Sequence, residues 1–240
     1  MAEGKKKGLN TNSNTYTIIY SIIIVVLVAF LLAFVFQALK PAQDANVALD
    51  KKKQILNSLN IRNLNDDDAD KTYKEVVVAD EIIDAQGKVL DKGTEEGDKN
   101  GFTLNSADFK NGKLALFVCK VNGETKYVIP VYGKGLWGAI NGYIAINADK
   151  ATVFGAYFNH ESETAGLGAE IKDNQAWQEK FHGKKLFEQD PNQIVLSVNK
   201  KITNPETQVD AVTGATLTSN GVTEMLHTCL SAYIKFLKEK

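Results

Sequence analysis

The sequence predicts an α+β protein with a single N-terminal transmembrane helix. Beyond the membrane it predicts an extracytoplasmic domain with a mainly antiparallel sheet and packed helices. Three observations carry that expectation. An uncharged apolar run extends from Ile18 to Phe36. Short β-branched runs separated by turn residues fill the middle of the chain, the pattern of antiparallel hairpins. Near the C-terminus, Val222, Met225, Leu226, Cys229, Leu230, Tyr233, Ile234 and Leu237 recur at helical spacing. Strands grouped together, with helices at the ends, read as α+β.

Composition narrows the possibilities. The chain has 240 residues, net charge −1 and 44% hydrophobic content, enough for one domain plus an additional segment. A near-neutral charge gives no electrostatic case for nucleic acid. Arg62 is the sole arginine, which argues against arginine clamps on phosphate. Cys119 and Cys229 are the only cysteines and lie far apart. That excludes iron–sulfur and zinc sites built on cysteine clusters, and no metal site is expected. A disulfide outside the cytoplasm is one fate for the pair. Their apolar surroundings favour the other, two small buried side chains.

The apolar run comes first in chain order. The uncharged stretch reaches from Gly8 to Leu39, long enough to cross a hydrocarbon core as a helix. A cleaved signal peptide is the competing reading. The apolar core is too long for one, and Phe36-Gln37-Ala38-Leu39 is a poor cleavage site. Lys5, Lys6 and Lys7 precede the run and favour a cytoplasmic N-terminus, although Lys51 to Lys53 on the other side weaken that bias. The expected organisation is a cytoplasmic N-terminus (1–17), a transmembrane helix (18–36), a helical linker (37–70) and an extracytoplasmic domain (71–240). In a Gram-negative cell the domain would be periplasmic, anchored in the inner membrane.

Val47 to Leu59 has helical spacing, and Asn65 to Asp70 is an acidic linker or helix start. This acidic run lacks the Gly and distal Glu of a calcium loop. Asp84-Ala85-Gln86-Gly87 and Val121-Asn122-Gly123-Glu124 are hairpin turns between apolar runs. Asp91 to Lys113 is polar and reads as a surface insertion. Ala139 to Ile146 and Ala151 to Phe158 are further strands, Asp173 to Phe181 a helix, and Ile194 to Val198 a short strand. Thr218 or Ser219 is positioned to cap the final helix.

Immediately before that helix stands Asp210-Ala211-Val212-Thr213-Gly214-Ala215-Thr216. A helix start offers unpaired N–H donors and partial positive charge to a phosphate. Gly214 and Ala215 leave room for it, and Thr216 adds a hydroxyl. A plain glycine turn is the competing reading. Two other segments share the character of a binding loop. His160-Glu161-Ser162-Glu163-Thr164-Ala165-Gly166-Leu167-Gly168-Ala169 is one, and Tyr132-Gly133-Lys134-Gly135-Leu136-Trp137-Gly138 is the other. The Gly-x-Gly of the latter lacks the βαβ context of a dinucleotide fold.

The pattern Asp-x-x-(Ser/Thr)-Gly-Ala-Thr resembles the flavinylation motif of FMN-binding redox subunits. The match is closest to the FMN-bearing C-subunit family of Na+-translocating NADH:quinone oxidoreductases. The loop with Glu163 resembles that family's Glu-Thr-Pro-Gly-Leu-Gly segment, with Ala165 in place of the proline. The segment with Lys134 resembles its Gly-Lys-Gly-Leu-Trp-Gly strand. The resemblance covers nearly the whole chain, in order.

What the resemblance implies is a covalent FMN, joined through its phosphate to Thr216 as a phosphodiester. Thr213, Gly214, Ala215 and Leu217 would surround the attachment point. Glu163 and Thr164 would make polar contacts, Gly166 would let backbone approach the ring, and Leu167 would pack on its face. Trp137 would line the flavin or fill the core, and Lys134 would neutralise the phosphate or stay exposed. Asp210 would belong to the signature read by a flavin transferase. No nucleophile–base pair is evident, so no catalytic residue is assigned and the chain reads as an electron carrier. Its partners would be the remaining polypeptides of the NADH:quinone reductase complex, the transferase and the membrane. Two alternatives stay open. One is the FMN-bearing member of the ion-pumping ferredoxin:NAD+ oxidoreductase (Rnf) complex, which carries the same signature. The other is a membrane-anchored binding or scaffold module without redox function.

Overall fold

A computed structural model describes residues 11–239. Lys5 to Lys7, which underlie the expected cytoplasmic N-terminus, lie outside the described residues. The chain divides into two compact units between Ala48 and Leu49.

The first unit is the apolar part of helix α1 (Asn14–Ser58). Its most apolar 18-residue window has a mean hydropathy of 3.2 and none of it is buried. The helix is long and apolar enough to cross a membrane. Pro41 removes one ladder bond without ending the helix, so the apolar run and the helix expected at Val47 to Leu59 are continuous. Asn60, at φ 61, ends it in the left-handed conformation common after a helix C-terminus.

The second unit begins with the last turns of α1. Ile55 and Leu56 are buried there, and Lys52 Nζ bridges Asp70 at 2.8 Å and Asp98 at 2.9 Å. The acidic run then opens helix α2 (Asp66–Val76). The Asn65 side chain accepts from the Asp68 N–H at 2.8 Å. Three aspartates in the first turn oppose the positive end of the helix.

Strands β1 (Val77–Ile83) and β2 (Val89–Asp91) form the first hairpin. Asp80 on β1 is fully buried. Its carboxylate accepts from the N–H groups of Thr94 (2.9 Å), Lys99 (3.0 Å), Asn100 (2.6 Å) and Phe102 (3.2 Å). The polar stretch expected as a surface insertion is therefore folded back on the sheet. It contains one 3-10 turn, Gly101–Thr103, and the short helix α3 (Ser106–Lys110). The Lys51 ammonium donates to the Phe102 and Leu104 carbonyls. Burial lowers its pKa to about 8, against the opposing pull of Asp80.

Strands β3 (Leu114–Val121) and β4 (Glu124–Lys134) meet at Asn122-Gly123. Both turn residues have positive φ, 51 and 83, as a two-residue type I′ turn demands. Strands β5 (Ala139–Asn147) and β6 (Val153–His160) complete a six-stranded antiparallel sheet in the order β2-β1-β3-β4-β5-β6.

Two short helices, α4 (Glu170–Asp173) and α5 (Gln175–Glu179), replace the single helix expected at Asp173 to Phe181. Asn174 lies between them and caps the second, accepting from the Trp177 N–H at 3.1 Å. Strands β7 (Ser197–Asn199) and β8 (Gln208–Asp210) pair in parallel.

Helix α6 (Thr216–Ala232) covers the sheet at β4, and α7 (Ile234–Lys238) follows. Val222, Leu226 and Leu230 are fully buried, each contributing about 1.5–3 kcal/mol. The expected single helix is broken at Tyr233, whose buried hydroxyl donates to the Ala115 carbonyl at 2.7 Å. Cys119 and Cys229 are buried and free.

Candidate functional site

The site is built where three segments reach the start of α6. Between β8 and α6 the Ala215 N–H donates to the Val212 carbonyl at 3.1 Å, closing a turn. Gly214 sits in that turn at φ +78, where L-residues are strained. A Cβ placed on Gly214 would stand 2.7 Å from Leu167 Cδ2, so Leu167 lies directly over the turn.

Ala215 occupies the N-cap position and no side chain caps the helix. The expectation that Thr218 or Ser219 would cap it is corrected by where the helix begins. With its first residue at Thr216, both lie inside the first turns, past the capping position. Ser219 Oγ accepts the Val212 N–H at 3.1 Å, and the Thr218 hydroxyl donates to Glu163 Oε2 at 2.6 Å. The first N–H groups of a 17-residue helix therefore lack a side-chain cap, leaving its positive end available. Thr213, Thr216 and Leu217 are exposed around it, whereas Ala215 is buried.

The second segment is the loop after β6. Thr164, Gly166 and Leu167 are exposed; Glu163 is buried. The Leu167 and Ala169 N–H groups both donate to the Thr164 carbonyl at 3.1 Å. The third segment is the turn joining β4 to β5, closed by the Gly135 N–H on the Gly138 carbonyl at 2.8 Å. Lys134, the last residue of β4, is exposed beside it. Trp137 does not fill the core: it is 67% exposed, while Trp177 is buried. Leu136, Leu167 and Leu217 are exposed as well, so each of the three segments carries a bare apolar side chain.

Glu163 joins the three segments. Its Oε1 accepts the Trp137 N–H at 2.8 Å and the Gly138 N–H at 3.4 Å, while Oε2 takes the Thr218 hydroxyl. The carboxylate expected to face a flavin is thus turned inward. Burial raises its pKa, but bonds from Thr218, Trp137 and Gly138 and the charge of His160 outweigh that and hold it below the ordinary value.

The glycines follow the same logic. A Cβ on Gly135 would fall 2.5 Å from Glu163 Oε1, and one on Gly168 would collide with Oε2. Gly168 therefore makes room for the carboxylate. Gly166 faces open space at φ +72. Gly221 of α6 lies against the Lys134 carbonyl, with no room for a Cβ. Sequence reasoning misses the roles of Gly135 and Gly221 and gives Thr218 only a capping role. The available signal for Thr218 is its place two residues beyond Thr216, which turns it to another side of the helix.

Asp210 stands at the end of β8 with its carboxylate 2.8 Å from Lys180 Nζ. Its carbonyl accepts the Trp177 indole N–H at 2.7 Å. A groove of about 360 Å³ runs between the two loops, lined by Gly166, Trp177, Lys180, Asp210 and Thr213 among others. Phosphate on Thr216 would meet the uncapped helix end, and a flat apolar ring would find Trp137, Leu167 and Leu217 already bare. The residues fit a flavin mononucleotide.

Comparisons with known proteins agree with that fit. The family model for the FMN-binding domain matches residues 135–231, a span holding all three segments from Gly135 onward. The C subunit of the Na(+)-translocating NADH-quinone reductase of Haemophilus ducreyi is 34% identical over 203 residues, covering 77% of each chain. Its counterpart from Neisseria meningitidis serogroup B is 33% identical over 201 residues, again 77% of each. Among solved structures, the C subunit from Parabacteroides distasonis superimposes with a TM-score of 0.74 at 32% identity, covering 84% of this chain and 98% of that one. NqrC from Shewanella oneidensis shares the fold, with a TM-score of 0.62, 24% identity and coverage of 82% and 97%. With this likeness running through the site and most of the chain, the protein belongs to the C-subunit (NqrC) family of Na+-translocating NADH-quinone reductases.

Proposed function

We propose that the chain is the FMN-carrying electron-transfer subunit of a membrane Na+-translocating NADH:quinone reductase, with FMN held covalently through its phosphate by Thr216. The observation that carries this reading is an exposed Thr216 at an uncapped helix start, with bare apolar side chains (Trp137, Leu167 and Leu217) on the three segments tied together by Glu163 and Gly214. FMN supplies the electron-accepting and electron-donating chemistry when bound. The chain's own residues attach it, orient it and shield part of it from water.

In this reading the Thr216 oxygen forms the ester, and the free N–H groups of the first turn with Lys134 offset the phosphate charge. Leu167, held over Gly214, and Trp137 flank the ring, with Thr164 and Gly166 on the loop beside it. Asp210, half exposed and paired with Lys180, is part of what a flavin transferase reads. The apolar part of α1 is the anchor: residues 1–17 are cytoplasmic, 18–36 cross the inner membrane, 37–70 link, and 71–240 form the periplasmic flavin domain. The other subunits of the complex supply the NADH site, the quinone site and the sodium path.

The test is a denaturing gel of the chain made with and without a flavin transferase, viewed under ultraviolet light and followed by intact mass. A fluorescent band heavier by FMN less one water, mapped to Thr216, supports the reading. An unmodified mass, with the transferase active on another substrate, overturns it in favour of a non-redox anchored module.

A further inference from the structure

Thr218 lies two residues beyond the attachment threonine and is buried. Its hydroxyl donates to a carboxylate 55 positions away in sequence. That same carboxylate holds the turn that carries Trp137, through the Trp137 and Gly138 N–H groups. It also belongs to the loop that carries Leu167, whose methyl group rests over Gly214. The Trp137 and Leu167 walls that would flank a ring on Thr216 are thus both tied to one buried anion. Two glycines, Gly135 and Gly168, are needed for that anion to fit. Such a closed set of bonds around a charge is stronger than neutral pairs would be.

We infer that the Glu163–Thr218 pair is a positioning lock that fixes the flanking walls of the flavin site relative to the attachment helix, with Glu163 also imposing a negative charge beside the ring. This rests on the proposed attachment of FMN to Thr216. The lock acts through Trp137 and Leu167, because both carboxylate oxygens are engaged by the protein. Two separable consequences follow. Cutting the Thr218 bond loosens the walls and leaves the charge. Neutralising Glu163 removes a charge that disfavours adding electrons nearby, so the flavin becomes easier to reduce.

The test uses the full chain, flavinylated beside the variants Thr218→Val, Thr218→Ser and Glu163→Gln. Intact mass first establishes loading. Flavin fluorescence anisotropy and visible circular dichroism then report ring mobility, and a redox titration gives the midpoint potential. Urea unfolding of the unloaded chains reports whether each domain folds. Thr218→Val should lower the anisotropy and weaken the visible dichroism, and Thr218→Ser should restore both. Glu163→Gln should shift the potential positive. Loaded Thr218→Val with wild-type anisotropy and dichroism overturns the lock. A wild-type potential in Glu163→Gln overturns the role of the charge. If Glu163→Gln does not fold, the Thr218 pair still decides the lock, and the pH dependence of the wild-type potential decides the charge: a potential that follows that of free FMN throughout the carboxylate range overturns it. A loaded mass absent from the wild type would count against attachment at Thr216, separately from the lock.

Discussion

Leu167 Cδ2 occupies the space 2.7 Å from where a Cβ on Gly214 would stand. The turn before α6 and the loop after β6 are therefore interlocked at a single glycine. Gly214→Ala meets two penalties, the strain of φ +78 and overlap with Leu167, about 1–3 kcal/mol together. Adding Leu167→Ala should recover the overlap part. A double-mutant cycle by urea unfolding should show a coupling of at least about 0.5 kcal/mol; additive losses would mean the two residues do not meet.

Thr216→Ala should abolish covalent flavin while changing stability by less than about 0.5 kcal/mol, because the side chain is exposed. Mass spectrometry and thermal melting check the two halves. Flavin retained in this variant would place the bond elsewhere.

Asp210→Asn separates recognition from folding. The ion pair with Lys180 is half exposed on both sides, so losing it should cost under about 1 kcal/mol. Transfer of flavin should slow at least about tenfold if the carboxylate is read by the transferase. An unchanged transfer rate would leave Asp210 with only its ion pair. Trp177→Phe, by contrast, removes the indole bond to the Asp210 carbonyl and should cost about 1 kcal/mol.

The acid limb of stability should carry the mark of Glu163. Its folded pKa lies below the ordinary value despite burial. The stabilisation is thus complete above the unfolded glutamate value of about 4.3 and is lost as the pH falls through the lower folded value. Stability measured from neutral pH downward should fall less steeply over that window in Glu163→Gln. Parallel curves would show that the carboxylate gains nothing on folding.

Asp80 holds the 91–113 stretch through four backbone N–H groups. Asp80→Ala strips the acceptor from one buried and three partly buried hydrogen bonds, at about 1–3 kcal/mol for a fully buried donor and less for the others, so a total loss of about 3 kcal/mol is expected. Limited proteolysis should cut first between Asp91 and Lys113. Uncut protein with wild-type stability would contradict the tie.

What was legible in the sequence was local. Asn122-Gly123 announces its turn and the apolar spacing from Val222 most of a helix, while Asn65 and the aspartates after it leave a linker and a helix start both open. The turn before α6 is equally visible, because Gly214 lies in a contiguous pattern. What was not legible depended on contacts distant in sequence. Nothing near Asp80 signals that it collects donors from four later residues. Glu163 looked like a loop carboxylate facing a ligand, because its partners are Trp137 and Thr218. The two tryptophans carry no local mark of which is core. Trp177 is, packing its ring 5.3 Å from Phe181, and Trp137 is not. The break falls at Tyr233, whose hydroxyl reaches Ala115, 118 positions back.

The separation of 55 residues between Glu163 and Thr218 also orders events during synthesis. Closing a loop of that length costs entropy that only the packed helix returns, and that helix is made after the strands and the loop it must meet. The contiguous Asp210 to Thr216 segment is complete as soon as Thr216 is added, but the Trp137 turn and the Glu163 loop join the helix beside it only when α6 seats on β4. A chain truncated within α6 would thus carry the Asp210 to Thr216 turn without the seated helix that gathers its surroundings.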